Sequence, residues 1–155
     1  MDIRYCVCDL DGTLLDSRGR LSEMNVLALK KLMMKGIRVF LATGRSDLFV
    51  KEFVSRLGLT TPVISCNGGL IRDLDTGEVL FRKVIGATAA ALLTDFCLEN
   101  QYDTLAYTTE HVYFLSGSQK IGAYHRYNSE VAAAFQVPLR EVHCQTDLPL
   151  PDVIK

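Results

Sequence analysis

The chain has 155 residues, 48% of them hydrophobic and 23% charged, with 17 basic and 18 acidic side chains and a net charge of -1. That mix builds a globular core, with room for one compact domain or for one domain and part of a second. No basic stripe points to nucleic acid, no charge block points to a tail, and no apolar run approaches a membrane span.

Met1-Asp2-Ile3-Arg4 opens no signal peptide, so the expected location is cytoplasmic. Ile3 to Cys8 is a short apolar run that reads as a buried strand, ending at Asp9-Leu10-Asp11-Gly12. Ser22 is a good helix cap. Val26, Leu29, Leu32 and Met33 then recur at helical spacing, and Gly36 sits where a helix-ending glycine belongs. Ile37 to Ala42 reads as a second strand, ending at Thr43-Gly44-Arg45. Ser46 or Asp47 caps a second helix, with Phe49, Val50, Phe53 and Leu57 on one face and Gly58 at its end. Pro62 to Ser65 reads as a third strand. This alternation predicts a parallel sheet with right-handed crossovers.

The rhythm changes after Asn67-Gly68-Gly69. Leu70 to Arg72 and Val79 to Arg82 read as hairpin arms around Asp75-Thr76-Gly77. Thr88 to Asn100 reads as an amphipathic helix with Leu92, Leu93 and Phe96 inward. Thr104 to Tyr107 and Val112 to Leu115 alternate like antiparallel strands, Ile121 to Phe135 is helical in part, and Asp152 to Lys155 starts something strand-like. The expected division is an α/β part over residues 1–82 and an α+β part over residues 83–155.

Cys6, Cys8, Cys66, Cys97 and Cys144 are odd in number and form no Cys-x-x-Cys pair, so they read as small buried thiols in a reducing compartment, not as a metal site. His111, His125 and His143 are scattered and read as ordinary polar residues. Tyr102, Tyr107, Tyr113, Tyr124 and Tyr127 read as core of the second part or, alternatively, as the lining of a substrate pocket, and Phe40, Phe49, Phe53 and Phe96 read as packing.

The chemistry concentrates at the ends of the first two strands. Asp9 and Asp11, two apart, share a strand face, and ligands of open α/β sheets bind outside the carboxyl ends of the strands. Two carboxylates there repel unless a hard cation relieves them, and magnesium takes one or two carboxylates together with phosphate and water. An ionised Asp9 can attack phosphorus to give an aspartyl-phosphate, and Asp11 can serve as acid and then as base. Gly12 allows the sharp turn. Thr43 and Gly44, at the next strand end and before a helix start, suit a phosphate oxygen. Arg45 reads either as part of that site or as a surface partner.

These residues resemble the haloacid dehalogenase superfamily: Asp9-Leu10-Asp11-Gly12-Thr13 its first motif, and Val39 to Arg45 its second. Ile64 to Ile71, followed by a hairpin, resembles the Cof-type branch. The resemblance implies an α/β fold with a Rossmann-like core and an inserted α+β cap. It also implies magnesium-dependent hydrolysis of small phosphate esters, often sugar phosphates. In its terms Asp9 is nucleophile and metal ligand, and Asp11 is acid/base with its carbonyl on the metal. Thr43 and Gly44 hold phosphate, and Asn67 lies near the substrate. The family pattern continues into a lysine and a Gly-Asp segment that completes the metal site. No Gly-Asp dipeptide occurs in this chain, which is expected to end inside the cap. A phosphomutase and a non-catalytic interaction module are the alternative expectations.

Overall fold

The computed structural model describes residues 2–155. The chain divides into two compact units, Met1–Arg82 and Lys83–Lys155. No helix among the described residues is long and apolar enough to cross a membrane.

The first unit runs β1 (Tyr5–Cys8), α1 (Glu23–Met34), β2 (Arg38–Leu41), α2 (Lys51–Leu57), β3 (Val63–Ser65), β4 (Leu70–Arg72) and β5 (Val79–Arg82). β1 and β2 pair in parallel with Cys8 opposite Leu41, and a parallel bridge from Ala42 to Ile64 brings β3 alongside. β3, β4 and β5 then form an antiparallel meander. Ser22 caps α1, its side chain accepting the Asn25 amide at 3.1 Å, and Gly36 follows at φ 79°. The second helical segment is broken: Ser46 caps a short 3-10 turn, Asp47–Phe49, and α2 starts only at Lys51 and stops at left-handed Gly58. Val39 and Leu41 of β2 face Val26 and Leu29 of α1 and Phe53, Val54 and Leu57 of α2 in one apolar cluster.

β1 is not the buried strand its composition predicts. Cys6 and Cys8 pack against the cluster, but Tyr5 and Val7 are 61% and 60% exposed. Successive side chains of a strand point to opposite faces of the sheet, and Tyr5 and Val7 lie on the face turned away from that cluster.

The second unit runs α3 (Ala87–Glu99), β6 (Leu105–Tyr107), β7 (Val112–Leu115), α4 (Ile121–Glu130) and β8 (Leu139–Val142). β6 and β7 are antiparallel, and β8 lies parallel to β7 after the crossover through α4. The extended end of the chain bonds to β6, with the Ile154 amide on the Tyr107 carbonyl and the Tyr107 amide on the Lys155 carbonyl, each at 2.8 Å. β8 has no counterpart among the sequence expectations, because Pro138 reads as punctuation when in fact its carbonyl accepts from Val112 and starts the pairing.

The inner face of α3 also differs. Leu92, Leu93 and Phe96 are 67%, 53% and 53% exposed, whereas Ala90 is buried. The inward stripe is Ala90, Thr94 and Cys97, at i, i+4 and i+7, which with Leu93 borders an apolar cavity of about 90 Å³ against Tyr113 and Val142. Of the tyrosines, Tyr102 stays on the surface and Tyr107 and Tyr124 bond through their hydroxyls at 3.0 Å. Of the cysteines, only Cys66 is buried, and Cys144 is exposed. Burial, together with the Cys6 thiol 3.6 Å away, pushes the Cys8 thiol up to about 11, so it stays protonated and chemically quiet.

Candidate active site

Sequence separates the three loops of this site by tens of residues; parallel pairing reunites them. The Ala42 amide bonds to the Cys8 carbonyl at 2.9 Å, and the Thr43 amide to the Ile64 carbonyl at 2.9 Å. Asp9, Thr43 and the turn after Ser65 thus follow three neighbouring strands at the same edge of the sheet.

Asp9 leaves β1 in extended conformation, and its side chain makes no capping bond. The loop that follows closes through the Leu15 amide on the Leu10 carbonyl at 2.9 Å, with Gly12 at φ 76°. That conformation suits a residue without a Cβ. Leu10, Leu14 and Leu15 are buried, which turns the alternate residues Asp9, Asp11 and Thr13 outward. Asn25 of α1, which sequence reasoning passed over, steadies the loop by donating to the Leu14 carbonyl at 2.8 Å.

Thr43 is buried, and its hydroxyl oxygen accepts the Arg45 amide at 3.2 Å. Gly44 is exposed beside it. The third loop is tied to the second twice, by the Cys66 amide on the Arg45 carbonyl at 2.8 Å and the Asn67 amide on the Thr43 carbonyl at 3.1 Å. Cys66 and Asn67 both take left-handed backbone, φ 51° and 57°, before Gly68 at 85°. Two consecutive non-glycine residues in that region cost energy, which the two cross-loop bonds offset, and the result is that Asn67 is held exposed.

The polar partners are equally specific. Arg45 grips Asp11 with two bonds, Nε to Oδ2 at 2.8 Å and Nη2 to Oδ1 at 2.6 Å. The Arg45 guanidinium holds the Asp11 carboxyl below the usual carboxylate range, against a smaller opposing effect of burial. Below the loop, Asp47 is fully buried and bonds to Arg72 at 3.3 Å. Burial pushes the Asp47 carboxyl up, and Arg72 draws it back. Arg72 Nε also donates to the Gly77 carbonyl at 3.2 Å, so the β4–β5 hairpin is fastened to the segment after Arg45. The sequence offers Asp47 only as an alternative helix cap; Ser46 takes that role, and the pairing of Asp47 with Arg72 has no sequence signal of its own.

No group of three or more His, Cys, Asp or Glu side chains suited to a metal occurs among the described residues. The donors that do occur suit magnesium in kind: hard oxygens, with the Asp9 carboxylate exposed and without a capping bond.

A family model for haloacid dehalogenase-like hydrolases matches residues 6–142. The chain belongs to that family. Its fold agrees: a haloacid dehalogenase-like hydrolase from Bacteroides thetaiotaomicron superposes with a TM-score of 0.78 at 23% identity, over 97% of this chain and 56% of that one. Among relatives in sequence, the 5-amino-6-(5-phospho-D-ribitylamino)uracil phosphatase YwtE of Bacillus subtilis is 34% identical over 67% of this chain and 35% of its own length. The pyridoxal phosphate phosphatase YbhA of Escherichia coli is 30% identical over 71% of this chain and 40% of its own length. The chain thus spans about two fifths of the curated relatives it matches, and those relatives are named for different phosphate esters.

Proposed function

We propose that this chain supplies the nucleophile-bearing part of a magnesium-dependent phosphatase of the Cof type, acting on small phosphate esters such as sugar phosphates. The observation that carries the reading is the meeting of three loops at one sheet edge. Asp9 is exposed there without a capping bond, Thr43 and Gly44 are on the next strand end, and Asn67 is held out by the third. Thr43, Gly44 and Asn67 bind the phosphate and its ester. An Asp9 carboxylate oxygen attacks phosphorus, and the ester P–O bond breaks as an aspartyl-phosphate forms. Asp11, a carboxylate paired with Arg45 in the ligand-free protein, takes a proton from solvent as the ester binds and gives it to the departing oxygen. It then takes a proton from water, whose oxygen attacks the aspartyl-phosphate, and inorganic phosphate leaves with Asp9 restored. Asp9 and the Asp11 carbonyl would hold magnesium, which supplies charge neutralisation at the transferring group.

The test is phosphate release by the full polypeptide carrying this chain, with magnesium and a panel of sugar phosphates and aryl phosphates. Turnover that stops on chelation and in Asp9→Asn supports the reading; turnover unchanged by Asp9→Asn overturns it. Phosphorus NMR of the products identifies a phosphomutase, which would give an isomerised ester in place of free phosphate.

A further inference from the structure

Asp11 carries the proton in the reaction proposed above, yet neither of its carboxylate oxygens is free. Both are bonded to one guanidinium, at 2.8 and 2.6 Å, in the parallel two-point geometry that only arginine offers. The guanidinium is itself held. It lies over the rings of Phe49 and Phe53, at 4.8 and 5.7 Å from their centres. The main chain of Arg45 is fixed too, its amide on the Thr43 hydroxyl and its carbonyl receiving the Cys66 amide. An exposed ion pair ordinarily contributes little. This one has two bonds, a stacked cation and an anchored backbone, so the direction in which Asp11 points is set by Arg45.

We propose that Arg45 is the positioning residue for Asp11. It fixes the carboxyl group in the ligand-free protein and gives up one of its two bonds when an ester is bound, so that a single Asp11 oxygen faces the leaving group. Phe49 and Phe53 keep the guanidinium in place during that exchange. The single remaining bond is enough to orient a carboxyl group, while two bonds would leave no oxygen to carry the proton. This inference rests on the phosphatase reading, and it changes no bond in the proposed reaction.

Leaving-group dependence is the test, because protonation matters for a poor leaving group and little for a good one. In the full polypeptide carrying this chain, kcat/KM reports steps up to the loss of the leaving group. Arg45→Lys and Arg45→Gln are expected to lower kcat/KM for an alkyl phosphate by about 10²-fold and for p-nitrophenyl phosphate by no more than about 3-fold. Arg56→Gln, which removes the ion pair with Glu23 on the helices, is the control and leaves the ratio of the two substrates unchanged. Equal losses on both substrates overturn the inference and leave the phosphatase reading standing. Absence of turnover in the unaltered polypeptide defeats both. A second readout needs no turnover: the 15N-coupled Nε–H resonance of Arg45 should shift in Asp11→Asn. An unmoved resonance shows that the pair does not form in solution, and the inference fails whatever the kinetics.

Discussion

Asp9 and Asp11 are two residues apart, and the structure gives them opposite circumstances. Asp9 is exposed and carries no capping bond, so Asp9→Asn should leave stability within about 0.5 kcal/mol by urea denaturation. The same substitution should lower phosphate release by at least about 10⁴-fold, as expected for a nucleophile. Asp11→Asn replaces a carboxylate that accepts two bonds, and should cost about 10²- to 10⁴-fold in turnover of an alkyl ester. Asp47 is the contrasting residue: in the sequence it reads only as a candidate helix cap, and in the structure it is fully buried with Arg72 at 3.3 Å. Asp47→Ala should destabilise the protein by about 1–3 kcal/mol, since it removes a buried acceptor from both Arg72 and Ser46. Calorimetric unfolding measures it. The catalytic candidates were legible because Asp-x-Asp-Gly-Thr at a strand end is a rare string. The brace was not, because a buried acid becomes distinctive only once its partner folds onto it.

At the level of elements, local chemistry decided most of what could be read. α1 starts just after Ser22 and stops short of Gly36 because a hydroxyl cap and a left-handed glycine act within a turn or so of their own position. Ser22→Ala should therefore cost about 1 kcal/mol, seen as a lower urea midpoint with an unchanged slope. Where a packing partner sets the outcome, reading failed. On α3 the large apolar residues Leu92, Leu93 and Phe96 imply one face, yet Ala90 is the buried residue, and only Leu93 of the three borders the cavity beside it. β8 was invisible because its pairing with β7 is a long-range event across α4. The break between the Asp47–Phe49 turn and α2 likewise follows from burying Asp47 and Leu48, not from any breaker residue.

Over the whole molecule, acid lability follows from the carboxylates. Arg45 lowers Asp11, and the Arg20 amide chiefly lowers Asp16. The Thr76 amide lowers Asp73, the Ser118 hydroxyl Asp103, and the His143 amide Asp147. A depressed carboxylate contributes stability that is fully present above its ordinary value of 3.8 and is lost as pH falls through its folded value. Asp47, raised by burial, has the opposite sign: its contribution is present below the ordinary value and lost as pH rises through its folded value. The melting temperature should hold from neutral pH to about 5 and fall steeply below about 4, as scanning calorimetry across pH would record. The open side of β1, with Ile3, Tyr5 and Val7 exposed, should also promote self-association of the chain. Val7→Lys should raise the concentration at which light scattering first detects it.

The sequence by itself determined the family, the α/β order of the first unit and the candidate nucleophile. These rest on contiguous residues: Asp9 to Thr13, Thr43 to Arg45, and the caps and apolar periods beside them. Only the tertiary structure decided what each of them touches. Arg45 lies 34 residues from Asp11 and was as plausible on the surface as in the site; parallel pairing of β1 with β2 brings their ends together, and two hydrogen bonds follow. The same holds for the buried Asp47–Arg72 pair, the exposed face of β1 and the inward Ala90. Each depends on which surfaces meet, and hydrophobic pattern alone does not specify the partner.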